Sequence, residues 1–100
     1  MHDQTKQQVR DLAHQAHALT ERAYQADPAV RGDALWADKQ RMLLADMALH
    51  LVQTSLHDGP IPQDKLQNNL YAILTICAQF MPDRELAHYA EAMMAPREPG

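Results

Sequence analysis

The sequence predicts an all-α fold, a compact bundle of about four helices with the second helix central. Three observations predict it. Val, Ile and the aromatics are scarce while Ala, Leu, Met, Gln, Glu and Asp are plentiful, which favours helix and starves any sheet. Apolar residues recur three and four apart, the spacing of one face of a helix. Three clusters of turn residues, "ADPAVRGD", "HDGPIPQD" and "MPDRE", cut the chain into pieces of helix length. The expected helices cover about 5 to 26, 34 to 57, 63 to 81 and 83 to 95. Together, residues 1–95 are expected to form one domain, and 96–100 a disordered tail containing Pro96, Pro99 and Gly100.

The first helix opens with Thr5 and Gln8 at capping-box spacing. It continues with a three-and-four rhythm of Val9, Leu12, Ala16, Leu19, Ala23 and Ala26, a thin seam by which this helix is expected to dock. Asp27-Pro28 is expected to cap a single helical turn before Gly32 and Asp33 restart the chain. Gly59 suits a left-handed cap after the second helix. The third helix carries a conventional core face of Leu66, Leu70, Ile73, Leu74, Cys77, Phe80 and Met81. Pro82 marks either the start of a fourth helix or a kink, and that helix has Leu86, Tyr89, Ala90 and Met93 on one side.

The second helix is the unusual one. In "RMLLADMALHLV" and its flanks, Lys39, Asp46, His50, Gln53 and His57 gather in one narrow wedge, and apolar residues spread over much of the remaining circumference. A bundle helix is ordinarily covered on only about half its circumference. Either its neighbours surround this helix and leave only the histidine wedge wet, or the arc of Trp36, Leu43, Met47 and Leu51 is an interface for a dimer or another partner.

Composition excludes several function classes. A formal charge of -4 with scattered basic residues argues against nucleic-acid binding. No apolar run approaches the ~20 residues of a membrane span, and the N-terminal "MHDQTKQQVR" lacks a signal-peptide core, so a cytoplasmic location is expected. Cys77 is the only cysteine and sits in an apolar setting, which reads as packing rather than chemistry. There is no Gly-rich phosphate loop, and Ser55, the only serine, lies mid-helix, so no enzyme is expected. Arg31-Gly32-Asp33 reads as a turn.

Six histidines require testing as ligands. His14, His17 and Glu21 can share a face of the first helix with Arg10, but no second helix is expected to complete a shell there, so a solvated face is the reading. Asp11 to His14 and Glu85 to His88 have the carboxylate-to-histidine spacing of di-iron bundles without the further inward carboxylates these need. Asp46, His50 and His57 read as a hydrated stripe with a weak Asp46 to His50 pair. No metal and no cofactor is therefore expected.

The function that fits is a small non-enzymatic protein-binding module, either a homodimeric adaptor or a regulatory or inhibitory factor acting on a larger assembly, as phage- or mobile-element-encoded inhibitors do. Its expected interface is Trp36, Leu43, Met47 and Leu51, with Arg41 and Asp38 orienting the partner at the rim. The partner is another protein or a second copy, with no nucleic acid and no membrane. A histidine-based metal or pH sensor and a secretion-type chaperone are the alternatives.

Overall fold

Each expected segment is helical. The structure, a computed structural model, describes residues 3–94 as α1 (Asp3–Ala26), α2 (Trp36–Ser55), α3 (Gln63–Phe80) and α4 (Leu86–Met94), with a 3-10 turn at Pro82–Arg84 ahead of α4. Among the described residues there is no strand. The expected tail, 96–100, lies outside them.

The boundaries differ from expectation where local chemistry intervenes. Helix α1 already runs from Asp3, so Thr5 is inside it rather than at a cap. No helical turn forms after Pro28; instead Asp27 Oδ1 accepts the Ala29 N–H at 2.9 Å and Asp33 Oδ2 accepts the Val30 N–H at 2.9 Å, tying a loop. Gly59 does take a left-handed φ of 78°, but three residues past the α2 cap at Leu56. Pro82 opens the 3-10 turn, and Glu85 then turns left-handed with φ 54°, which ends that turn and delays α4 to Leu86.

The helices pack as an up-and-down bundle in which α2 is central, lying against both α1 and α3, while α4 packs on α3. Cross-helix bonds show each neighbour running antiparallel: Lys6 reaches Asp58 just beyond α2 and Thr20 reaches Asp46, Gln40 meets Gln79 and Thr54 meets Asn69, Gln67 meets Met93 and Tyr71 meets Glu91. The bundle is shallow, with extents of 44 × 44 × 19 Å. Its buried residues among those described are Ala13, Ala29, Ile76 and Ala90, together with the polar Gln40, Asp46 and Thr54. Among the described residues, no large side chain is completely enclosed.

The docking face of α1 is not the expected seam. Leu12 and Leu19 of that seam are 65% and 61% exposed. The row turned towards α2 is Lys6, Arg10, Ala13, His17, Thr20 and Tyr24, at the same three-and-four rhythm but mostly polar. Ala13, 5% exposed, marks the close approach. Asp46 explains the choice. A carboxylate in the middle of α2 needs donors when another helix covers it, and only the polar side of α1 supplies them.

Helix α4 has nine residues, too few to be stable alone, so packing on α3 holds it. Ala90 is completely buried against α3, Tyr71 Oη donates to Glu91 Oε1 at 2.7 Å, and Gln67 Nε2 donates to the Met93 carbonyl at 2.7 Å. The Glu91 carboxylate accepting from the phenol raises Tyr71 above the usual tyrosine range. At the other end, hydrogen bonds from Lys6 and Arg10, at 2.7 and 3.3 Å, hold Asp58 below the ordinary carboxylate range.

Two outcomes follow from this packing. Ala90→Leu overfills the α3–α4 contact and is expected to cost about 1–3 kcal/mol in urea unfolding, with loss of α4 helicity by circular dichroism. Because the Asp58 pKa is lowered on folding, its contribution is complete above the ordinary carboxylate pKa and disappears as pH falls through the lowered value. Asp58→Asn is therefore expected to melt below the wild type at neutral pH and to match it in strong acid.

Candidate functional site

Helices α1 and α2 bring His17 to Asp46 and His50, a pair that spacing on α2 already places together. His17 projects from α1, and Asp46 and His50, one turn apart, project from α2. The two Nε2 atoms of His17 and His50 lie 2.8 Å from each other. Asp46 Oδ1 is 3.3 Å from His17 Nε2, and Asp46 Oδ2 is 3.5 Å from His50 Nε2. The imidazole rings meet edge-on, with centroids 4.2 Å apart. At this N···N distance one ring nitrogen donates and the other accepts, because two facing N–H groups would repel.

A ring of further contacts holds the cluster. Thr20 Oγ1 donates to Asp46 Oδ1 at 2.6 Å, a charge-assisted bond. Glu21 Oε2 stands 3.8 Å from His17 Nδ1, on the far side of that ring. Exposure grades across the site: the Asp46 side chain is 8% exposed, His17 17% and His50 37%. The carboxylate therefore forms the floor, and His50 opens onto a polar groove between α2 and α3 lined by Gln53, Thr54, His57, Lys65, Asn68 and Asn69. Nearby cations are engaged elsewhere, Arg10 with Asp58 and Lys39 with the Ala29 carbonyl at 3.0 Å and over the Tyr24 ring.

The expected hydrated stripe of Asp46, His50 and His57 is thus corrected. Asp46 is buried by α1, His50 is part-buried against His17, and only His57 stays exposed. His14 also stays exposed, on a shallow groove with Gln7, Arg10, Asp11 and Gln53. The α2 half of the cluster was legible as the Asp46 to His50 spacing. Its α1 half was hidden by the assumption that Val9 and Leu19 face inward. The available signal was the second row of α1, from Lys6 to Tyr24, with the same rhythm.

The expected interface residues do not form one open arc. Trp36, Leu43, Met47 and Leu51 are half-buried, on the side of α2 that carries Gln40 and Thr54, the residues bonded to α3. Arg41 is on the outer side, 74% exposed, and pairs with Asp38 at 3.8 Å. Open apolar surface lies elsewhere. On α1 it is Val9, Leu12 and Leu19; on α2 it is the outer stripe with Met42, Ala45 and Ala48, flanked by half-buried Leu49, Val52 and Leu56. Val30, Leu35, Phe80 and Met81 are exposed at the end of the bundle where the α1–α2 loop and the α3–α4 turn lie.

The Asp46 cluster should dominate the α1–α2 contact energetically. Asp46→Ala removes the carboxylate that Thr20 and both imidazoles face, leaving the Thr20 hydroxyl only the His17 carbonyl at 3.0 Å, and is expected to cost about 1–3 kcal/mol, against about 1 kcal/mol for Thr20→Val. The double variant should cost less than the sum, measured by chemical unfolding. No family model matches the chain, and no curated protein and no solved structure matches it either.

Proposed function

We propose that this chain is a non-enzymatic protein-binding module whose first partner is a second copy of itself, docked through the open apolar stripes of α1 and α2. The observation that carries the reading is the amount of surface left uncovered. A monomer of this mass typically exposes about 5,700 Å², whereas the chain exposes 7458 Å². The surplus, roughly 1,700 Å², is what one protomer of an obligate homodimer buries. The radius of gyration, 15.7 Å, also exceeds the ~13 Å usual for this length.

Helical periodicity supports a single docking face. On α1 the stripe of Val9, Leu12, Ala16 and Leu19 is about 100° round from the row that packs on α2. On α2 the stripe of Met42, Ala45, Leu49, Val52 and Leu56 is about 90° round from the Asp46 and His50 side. The helices are right-handed and antiparallel, so equal rotations about their own axes bring both stripes to the same side of the pair. A twofold axis through that side would stack two such pairs into a shared core. Asp38 and Arg41, beside Met42 and Ala45, form a charged rim to that face. An adaptor or inhibitor role would then use the outer surface of the dimer.

Absolute molar mass by light scattering, over a range of concentrations, is expected to show a dimer. Leu12→Glu combined with Leu19→Glu should raise the dissociation constant by at least about a hundredfold, since each leucine contributes about 1.5–3 kcal/mol when fully buried. Both are exposed within one chain, so helicity should persist. A strictly monomeric wild type would refute self-association, and a dimer indifferent to the two charges would refute this face.

A further inference from the structure

We infer that His17, Asp46 and His50 form a binding site for a first-row divalent cation of the zinc(II) class, held between α1 and α2. The three ligand atoms lie within 4.8 Å of one another, and all belong to one chain, so the site is independent of any dimer. Tetrahedral zinc with bonds of about 2.0–2.1 Å separates neighbouring ligand atoms by about 3.3–3.4 Å. Asp46 Oδ1 stands 3.3 Å from His17 Nε2 and Asp46 Oδ2 3.5 Å from His50 Nε2, so whichever oxygen binds already makes one edge of that length, and a small turn of the carboxylate within the 4.8 Å cluster makes the other. The N···N separation of 2.8 Å needs only to widen by about 0.5 Å, within a side-chain rotation.

The surroundings are those of a ligand set rather than of a chance pair. Thr20 donates to Asp46 Oδ1 and fixes the carboxylate. Glu21 Oε2 stands 3.8 Å from His17 Nδ1, the ring nitrogen a metal would not use, and by closing that gap to a hydrogen bond would supply the carboxylate of a carboxylate–histidine–zinc arrangement. Both neighbouring cations, Arg10 and Lys39, are tied to other partners. The donor set has two imidazoles and one carboxylate, which suits zinc, cobalt, nickel or copper, and is too poor in oxygen for calcium or magnesium. With three protein ligands and His50 opening onto the polar groove, a fourth position is left for water or an exogenous ligand. The ion would replace the N–H···N bond between the rings, so the displaced proton leaves to solvent or to a free ring nitrogen.

The test titrates the full chain, freed of metal by chelator and dialysis, with Co(II) and Zn(II). The expected result is one ion per chain, the intense visible absorption of tetrahedral Co(II), its displacement by Zn(II), and a zinc-dependent rise in melting temperature. His17→Gln and His50→Gln should each weaken binding more than about a hundredfold, and Glu21→Gln about tenfold, while His14→Gln and His57→Gln leave it unchanged. Circular dichroism checks that each variant is still helical. Absence of tetrahedral absorption in the wild type overturns the proposal, whatever the variants do. So does binding that survives loss of His17 and His50, or that falls equally with His14 or His57, since it would then belong to scattered surface histidines.

Discussion

The burial of Asp46 sets the rotation of α1 on α2, and that rotation decides which side of each helix meets solvent. A carboxylate covered by a neighbouring helix must be met by donors. Thr20 and the two imidazoles meet it, and Ala13 on the same row lets the helix backbones approach. The opposing force is clear. Turning α1 by about a quarter of a revolution would bring Leu12 and Leu19 inward, for about 1.5–3 kcal/mol each. It would also strip Asp46 of Thr20 and His17, leaving only His50 on its own helix, and breaking a buried charge's pairing costs about 3–5 kcal/mol. The two are of similar size within one chain. The conflict vanishes if the leucines are covered by something beyond it, because the polar seam and the apolar face are then both satisfied.

Much of the fold was legible because helix formation is local. The three turn clusters fall between the four observed helices, and the central position of α2 followed from its breadth of apolar surface. What local pattern does not carry is the choice between two competing rows on α1. Val9 to Ala26 and Lys6 to Tyr24 have the same periodicity, and hydrophobicity alone favours the first. The second won because of Asp46, a residue on a different helix. The same misjudged rotation hid His17 from Asp46 and His50. Trp36, Leu43, Met47 and Leu51, read from the apolar breadth of α2 alone, lie half-buried.

Polar seams recur across the bundle and give it specificity at modest energetic return. Gln40 with Gln79 and Thr54 with Asn69 repeat between α2 and α3 the logic of Asp46 with Thr20. A single neutral bond of this kind contributes about 0.5–1.5 kcal/mol net, but an unmade one costs the desolvation of a buried group. Every buried side-chain nitrogen and oxygen among the described residues has a partner. Register between helices is therefore enforced by what would be lost on slipping, whereas half-buried leucines would tolerate a slide.

The chain-neighbour packing also sets an order of assembly. The substantial contacts run from α1 to α2, α2 to α3 and α3 to α4, so closing each contact requires only the short loop between consecutive helices. Lys6 meets Asp58, and His17 meets His50, using nothing C-terminal to residue 58. During synthesis from the N-terminus, the helical hairpin that carries both the histidine cluster and the open leucines can be complete while α3 and α4 are still being made. Its exposed apolar side would then be available at the ribosome, where chains growing on one message are close together, before the second half of the molecule exists.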